Sequence, residues 1–321
     1  MKHARNRRLW LIGGLATLAC LASVQAWYGP GHDPATKAAT AALPEELPAF
    51  FRTGAETIAH CSADPDLFRL REQPELRDAE VPEHYFDLEL LAGAPVPPTR
   101  YAFVKLCAGK GLRPEAVGLL PYAIVEWTQR LTLAFAEHRK WPANRHVRAK
   151  CLLYAGLLAH YAQDACQPLH TTIHYDGRVK EGGGSPRSLP TSRQAGGIHA
   201  KVDALLQKVK VGPEALAGRI RPAAFDKLMP AVVAEIKRSH ALLDKVYELE
   251  SQLPLAEAGL PADSKVARFA EERLGAAANF TASLFLTAWK NSARLALPDW
   301  HKRPIDLARP PVLEDRKREQ S

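Results

Sequence analysis

The sequence predicts an all-α fold, a single multi-helix domain over residues 27–308. Two observations predict it. Several long segments carry apolar residues at helical spacing, and no alternating strand pattern of any length occurs. The composition suits a large core: 321 residues, 46% apolar and 24% charged. Such a balance excludes a disordered or collagen-like chain.

The elements follow in chain order. Lys2, Arg5, Arg7 and Arg8 precede an apolar run from Leu9 to Val24. Val24 and Ala26 are small residues at the −3 and −1 positions of a cleavage site. This is the pattern of a secretory signal peptide, residues 1–26, cut between Ala26 and Trp27. The run holds Gly13, Gly14 and Thr17 and is shorter than the roughly 20 residues that span a bilayer. The mature chain is therefore expected to be exported, to the periplasm or beyond. The formal charge of +8 owes much to this leader; without it, 39 basic groups face 35 acidic ones. A net charge of +4 does not argue for tight binding to a polyanion.

Asp33-Pro34 reads as the N-cap and first turn of a helix through Ala42. Residues 91–100, with APVPP, read as a loop. Arg145–Ala165 is the strongest helical segment, and Pro168 soon after it should stop it. The polar, Gly- and Pro-rich stretch 178–197 reads as a long loop. A helix is expected from Ile198 to Val209, and two long ones over 223–253 and 266–295. The charged residues 309–321 read as a disordered tail. Cys20 leaves with the leader. The remaining Cys61, Cys107, Cys151 and Cys166 admit two disulfides in an exported chain, or buried free thiols.

Histidines and aspartates carry the chemical signal. His160 and Asp164 lie four apart on one face of the 145–165 helix. His199 and Asp203 repeat that spacing on the next helix, and His170 stands between the pairs. A single such pair is commonly a surface hydrogen bond. Two pairs flanking a histidine can converge on metal ions, and imidazole with carboxylate suits zinc. The helix that carries Leu152, Leu153, Leu157 and Leu158 has little reason to hold His and Asp unless they are paired or ligated.

The run HYAQDACQPLH (160–170) followed by GIHAKVD (197–203) resembles the signature of the zinc-dependent nuclease and phospholipase C superfamily. The resemblance covers roughly 27–205. It implies an α-helical enzyme of the phospholipase C and zinc nuclease type, with three zinc ions and a mature N-terminal Trp among the ligands. Trp27 fits that place, and His32 in WYGPGH would share its zinc. Asp66 in DPDLFR, with Asp64 as a competing choice, His84 in HYFD and His160 would hold another ion. Asp164 would bridge these two ions, and His170, His199 and Asp203 would hold the third.

The implied activity is phosphoester hydrolysis. Water shared between two zinc ions ionises near neutral pH, and metal contact neutralises phosphoryl charge. Asp66 would also accept a proton, and Arg69, three residues on, would meet the phosphate. A solvent-facing salt bridge is the plainer role for Arg69. In the nuclease branch an aromatic residue and an Asp after the second His bind a base, and Tyr85 and Asp87 stand there. The short spacing from Trp27 to His32, an Asp rather than a Glu at 203 and the long 170–199 segment are also nuclease-like. The expected substrate is thus single-stranded nucleic acid or a nucleotide. A phospholipid is the alternative, and a non-catalytic exported zinc-binding protein is an alternative of another class. No feature implies a stable protein partner, and a monomer is expected. His60, His138, His146, His240 and His301 match no ligand position; His174 is ambiguous, either lining the cleft or structural.

Overall fold

The computed structural model describes residues 29–179, 197–254 and 258–302. The leader 1–26, Trp27, the 309–321 tail and all of the 178–197 loop except residues 178, 179 and 197 lie outside them. The described residues are helical, without a strand. In chain order the helices are α1 (Gly29–Ala41), α2 (Ala49–Arg52), α3 (Ala55–Cys61), α4 (Asp64–Leu67), α5 (Pro74–Glu80), α6 (Arg100–Gly109) and α7 (Pro114–Val117). There follow α8 (Leu120–Lys140), α9 (Arg145–Asp164), α10 (Ile198–Asp203), α11 (Pro213–Ala217), α12 (Leu228–His240), α13 (Leu243–Leu249) and α14 (Lys265–Ser292). Short 3₁₀ turns at Val81–His84 and Pro168–Thr171 matter for the site. No described helix is long and apolar enough to cross a membrane.

Local chemistry sets the helix ends. The Asn144 side chain accepts from the His146 and Val147 amides and opens α9. Ser264 accepts from the Ala267 amide and opens α14. Each such cap satisfies an amide that has no partner inside the helix. Arg139 and Lys140 place positive charge in the last turn of α8, where the helix dipole favours it.

Helix α9 is central. It packs against α8, α3, α14 and α1, and every residue from Ala155 to Asp164 is buried. Phe51 meets Phe135 and Phe285 edge-on in the main core, at centroid distances of 4.9 and 5.5 Å. Each of these rings is fully buried, which contributes about 1.5–3 kcal/mol per side chain. A second, smaller apolar cluster joins Leu169, Ile198, Val202, Leu249 and Phe269, and so seats α10 beside the turn that follows α9.

Several expectations are corrected. Asp33 is not an N-cap: α1 begins at Gly29, so Pro34 lies inside it and Asp33 pairs with Lys37 one turn on. The extra turn puts His32 on the helix. Residues 198–209 form a helix only to Asp203, followed by a 3₁₀ turn at Leu206–Lys208. The helix expected over 223–253 starts at Leu228 and breaks after His240. The chain before it is extended along α14. The amides of Arg221, Ala223 and Phe225 donate to Asn279 Oδ1, Ser283 Oγ and Thr287 Oγ1 at 3.0, 3.2 and 2.9 Å. Two extended residues advance about 6.6 Å and four helical ones about 6 Å, so the two periods stay in register. That side-chain ladder satisfies amides that a helix would otherwise have to satisfy. The disulfide reading also falls. Cys61, Cys107, Cys151 and Cys166 are all free and buried, and burial pushes the Cys151 thiol up to about 12.

Candidate metal centre

Six elements bring eight of the nine expected ligands together. Helix α1 supplies His32, α4 supplies Asp66, and the Val81–His84 turn supplies His84. Helix α9 supplies His160 and Asp164, the Pro168–Thr171 turn His170, and α10 His199 and Asp203. None is more than 4% exposed. They form three groups: His32, His160 and Asp164; Asp66, His84 and His160; His170, His199 and Asp203. Within each group the candidate donor atoms lie within 4.8 Å of one another. Trp27, the ninth, lies outside the described residues. Of the two competing aspartates, Asp66 joins a group, and Asp64 is only partly buried and joins none.

Asp164 stands between the groups. Its Oδ2 is 3.0 Å from His84 Nδ1 and 3.4 Å from His160 Nε2, and its Oδ1 is 3.4 Å from His170 Nδ1. His199 Nε2 is 3.0 Å from Asp203 Oδ2, and His170 Nε2 is 3.7 Å from Asp203 Oδ1. The rings of His32 and His160 stack at 4.0 Å, and those of His170 and His199 at 5.0 Å.

The outward nitrogens are held by acceptors. His32 Nδ1 donates to Gln163 Oε1, His160 Nδ1 to the Ser62 carbonyl and His170 Nδ1 to the His84 carbonyl, each at 2.8 Å. A carbonyl oxygen only accepts, so in each ring the proton sits on Nδ1 and Nε2 is left as a lone pair. That is the tautomer a metal ligand needs. His84 is turned the other way. Its Nε2 faces Glu80 at 3.3 Å, and Nδ1 points inward, 3.0 Å from His160 Nε2. Tyr161 donates to the same Glu80 carboxylate.

The donor set fits cations. His170 Nε2 and Asp66 Oδ2 are buried with no hydrogen-bond partner, a costly state for polar atoms in an apolar interior. Inward-facing imidazole nitrogens and carboxylates, arranged about common points, gain partners when a cation sits among them. Burial and neighbouring charges compete in setting the titration of these groups. Burial would raise Asp164, but His170 and His160 hold it well below the usual carboxylate range. Burial likewise opposes ionisation of Asp203, and His199 and His170 overcome it. His32 is pushed well down, by burial and then by His160. Burial would lower His160 too, but Asp164 and Asp66 raise it.

Other expected residues sit as follows. Arg69 Nη2 donates to Asp66 Oδ1 at 2.5 Å, so this arginine is tied to a candidate ligand and does not face solvent alone. Tyr85 is 5% exposed; its hydroxyl donates to the Glu115 carbonyl at 2.5 Å, and its ring packs on Gly118. Asp87 is fully buried. Neither presents an open face to a base. His174 accepts from the Val179 amide at 2.9 Å and belongs to the loop beside α13. His138, His240 and His301 pack elsewhere, on Phe50, Thr171 and Glu137.

Residues that spacing alone did not single out complete the centre. Gln163 holds His32, and Gln167 Nε2 donates to Asp203 Oδ1 at 2.7 Å. Glu80 sits behind His84. The signal available for Gln163 is its place between His160 and Asp164 on a helix that is apolar from Ala155 to Ala159. No protein-family model matches this chain, and no curated protein matches it.

Proposed function

We propose that this chain is a zinc-dependent phosphoesterase with three metal positions. Its substrates would be phosphodiester or phosphomonoester bonds of single-stranded nucleic acid or nucleotides. The observation that carries the proposal is Asp164, fully buried, a member of one donor group and within 3.4 Å of a histidine of each of the other two. Asp66, His84 and His160 would hold one ion; His32, with Trp27, would hold a second; His170, His199 and Asp203 would hold the third. Asp164 would be shared by the first two. Zinc bound there supplies water ionised near neutral pH and positive charge for phosphoryl oxygens.

The chain's own residues do the rest. Gln163 and the carbonyls of Ser62 and His84 fix the rings, so little reorganisation accompanies binding. Asp66, whose Oδ2 makes no hydrogen bond, would be both ligand and proton acceptor. Arg69, bonded to the other oxygen, brings a guanidinium to the same edge, where it can pair with a phosphoryl oxygen.

One observation favours the phospholipid reading as a second. Leu67 and Leu70, flanking Asp66 and Arg69, are 51% and 45% exposed. Apolar side chains at the edge of a charged site suit acyl chains better than bases.

The test uses the exported, cleaved and zinc-loaded protein. Single-stranded DNA, RNA, 3′-nucleotides and phosphatidylcholine are assayed side by side, with His160→Ala as control. Turnover of nucleic acid or nucleotides, lost in the variant, is the expected result. Turnover of lipid alone moves the assignment to phospholipase C. No turnover with zinc still bound points to the non-catalytic zinc-binding protein.

A further inference from the structure

The structure contains a cavity of about 550 Å³ between α12, α14 and the extended 221–225 segment, and none of its lining residues belongs to the three donor groups of the metal centre. That volume is within the roughly 300–1,000 Å³ of small-molecule sites. Its polar lining is dominated by guanidinium groups: Arg221, Arg238 and Arg273. Its apolar lining comes from Phe225, Phe280 and Leu242.

We propose that this cavity binds a small amphipathic oxyanion, a phosphate or carboxylate carrying a short apolar group. The proposal is independent of the reading of the metal centre.

Three facts support it. First, the one carboxylate in the lining, Glu235, is already committed. It takes Nε of Arg238 at 3.1 Å and also accepts from Cys166. Three guanidinium groups against one carboxylate leave a surplus of positive charge. Secondly, Arg273 is not satisfied. Its Nε is buried and has no hydrogen-bond partner, while the partly exposed side chain as a whole lines the cavity. An arginine in that state gains from an oxyanion, whose two oxygens match its fork. Thirdly, the walls are fixed. Ser283 and Asn279 spend their acceptor oxygens on the Ala223 and Arg221 amides, and Arg221 Nη1 donates to the Gly218 and Ile220 carbonyls at 2.7 Å each. These bonds hold Arg221 in the lining before a ligand arrives.

The two parts of the lining divide the ligand. The arginines take the oxyanion, and Phe225, Phe280 and Leu242 cover an alkyl group of a few carbons. A cation would meet three like charges. A neutral alkyl group would leave the surplus positive charge of the lining unpaired.

The experiment is hydrogen–deuterium exchange of the full chain with hexyl phosphate, hexanoate, hexanol or inorganic phosphate added. Hexyl phosphate or hexanoate should protect 221–225, 235–242 and 273–283; hexanol and inorganic phosphate should protect them more weakly. The stronger of the first two identifies the headgroup. Arg273→Gln should weaken that protection at least about tenfold in ligand concentration. Arg221 is exposed, so Arg221→Gln repeats the test without touching the packed interior. Equal protection by hexanol overturns the proposal. So does protection confined to 160–170 and 198–203, or unchanged affinity in both variants.

Discussion

Gly156 and Cys61 touch almost backbone to backbone. A β-carbon on Gly156 would lie 2.5 Å from Cys61 Cβ and 2.7 Å from the Ile58 carbonyl oxygen. Helices α3 and α9 can approach this closely only because Gly156 has no side chain. The approach has a consequence one turn along α9. It brings the Ser62 carbonyl, just past the end of α3, to 2.8 Å from His160 Nδ1. A packing glycine therefore sets the tautomer of a candidate ligand.

Gly156→Ala tests that link. Alanine gains up to about 1 kcal/mol in helix propensity. The clash is with a β-carbon and backbone, not with the tip of a flexible chain, so the helices must separate. The expected net result is a loss of about 1–3 kcal/mol in urea unfolding. Zinc content after dialysis should fall with it, because His160 loses its outer bond. Full zinc retention in a destabilised variant would separate the packing from the site.

Gln163 gives a cleaner probe of the outer contacts. Its Oε1 holds His32, and its Nε2 donates to Thr36 Oγ1 at 2.8 Å. Gln163→Leu keeps the volume and removes both bonds. Affinity for the ion at His32 should fall about 10- to 100-fold by chelator competition, since lost outer-shell partners cost that much. The group of His170, His199 and Asp203 should keep its metal. A uniform loss across all positions would mean that the variant had disturbed the fold.

The sequence made much of this centre legible. The four-residue His160–Asp164 and His199–Asp203 spacings translate directly into shared helix faces, and the structure brings both pairs inward. Pro168 predicted the end of α9, and a tight turn there presents His170. What spacing cannot carry is partnership between distant segments. The Gln163–His32 bond joins residues 131 apart, and nothing local to either marks it. The expected helix fails at residues 223–225 for a related reason. The amides there are satisfied by side chains of α14 some 60 residues on, so the segment's own sequence does not show why it need not be helical. Tyr85 was singled out by its place after His84, but Gly118 and the Glu115 carbonyl decide where its ring goes.

Arg69 separates binding from catalysis. It contacts Asp66 but belongs to none of the three groups. If it stabilises charge on the phosphoryl oxygens, Arg69→Gln should lower kcat about 10²- to 10³-fold. Zinc content should stay unchanged. A rise in KM alone would give Arg69 a role only in holding the substrate. Loss of zinc would show that its bond mainly positions Asp66.

His138 predicts how stability depends on pH. It is 7% exposed, and its ring packs on Phe50 with centroids 4.6 Å apart. Burial, then Arg148 and Arg139, lowers its pKa below the ordinary 6.5. The folded state therefore resists the proton that the unfolded chain accepts. Stability from this group is fully present above about pH 6.5 and is lost as pH falls through the lowered folded value. Its Nδ1 is buried without a hydrogen bond, so an apolar ring in its place removes no bond from that atom. His138→Phe should keep the packing and lose the titration. The urea midpoint of the wild-type protein should fall more between pH 7.5 and 5.5 than that of the variant. The histidines of the metal centre are the same in both proteins, so their contribution cancels in the comparison. Equal falls would mean that the His138 pocket opens and admits water before the imidazole is charged.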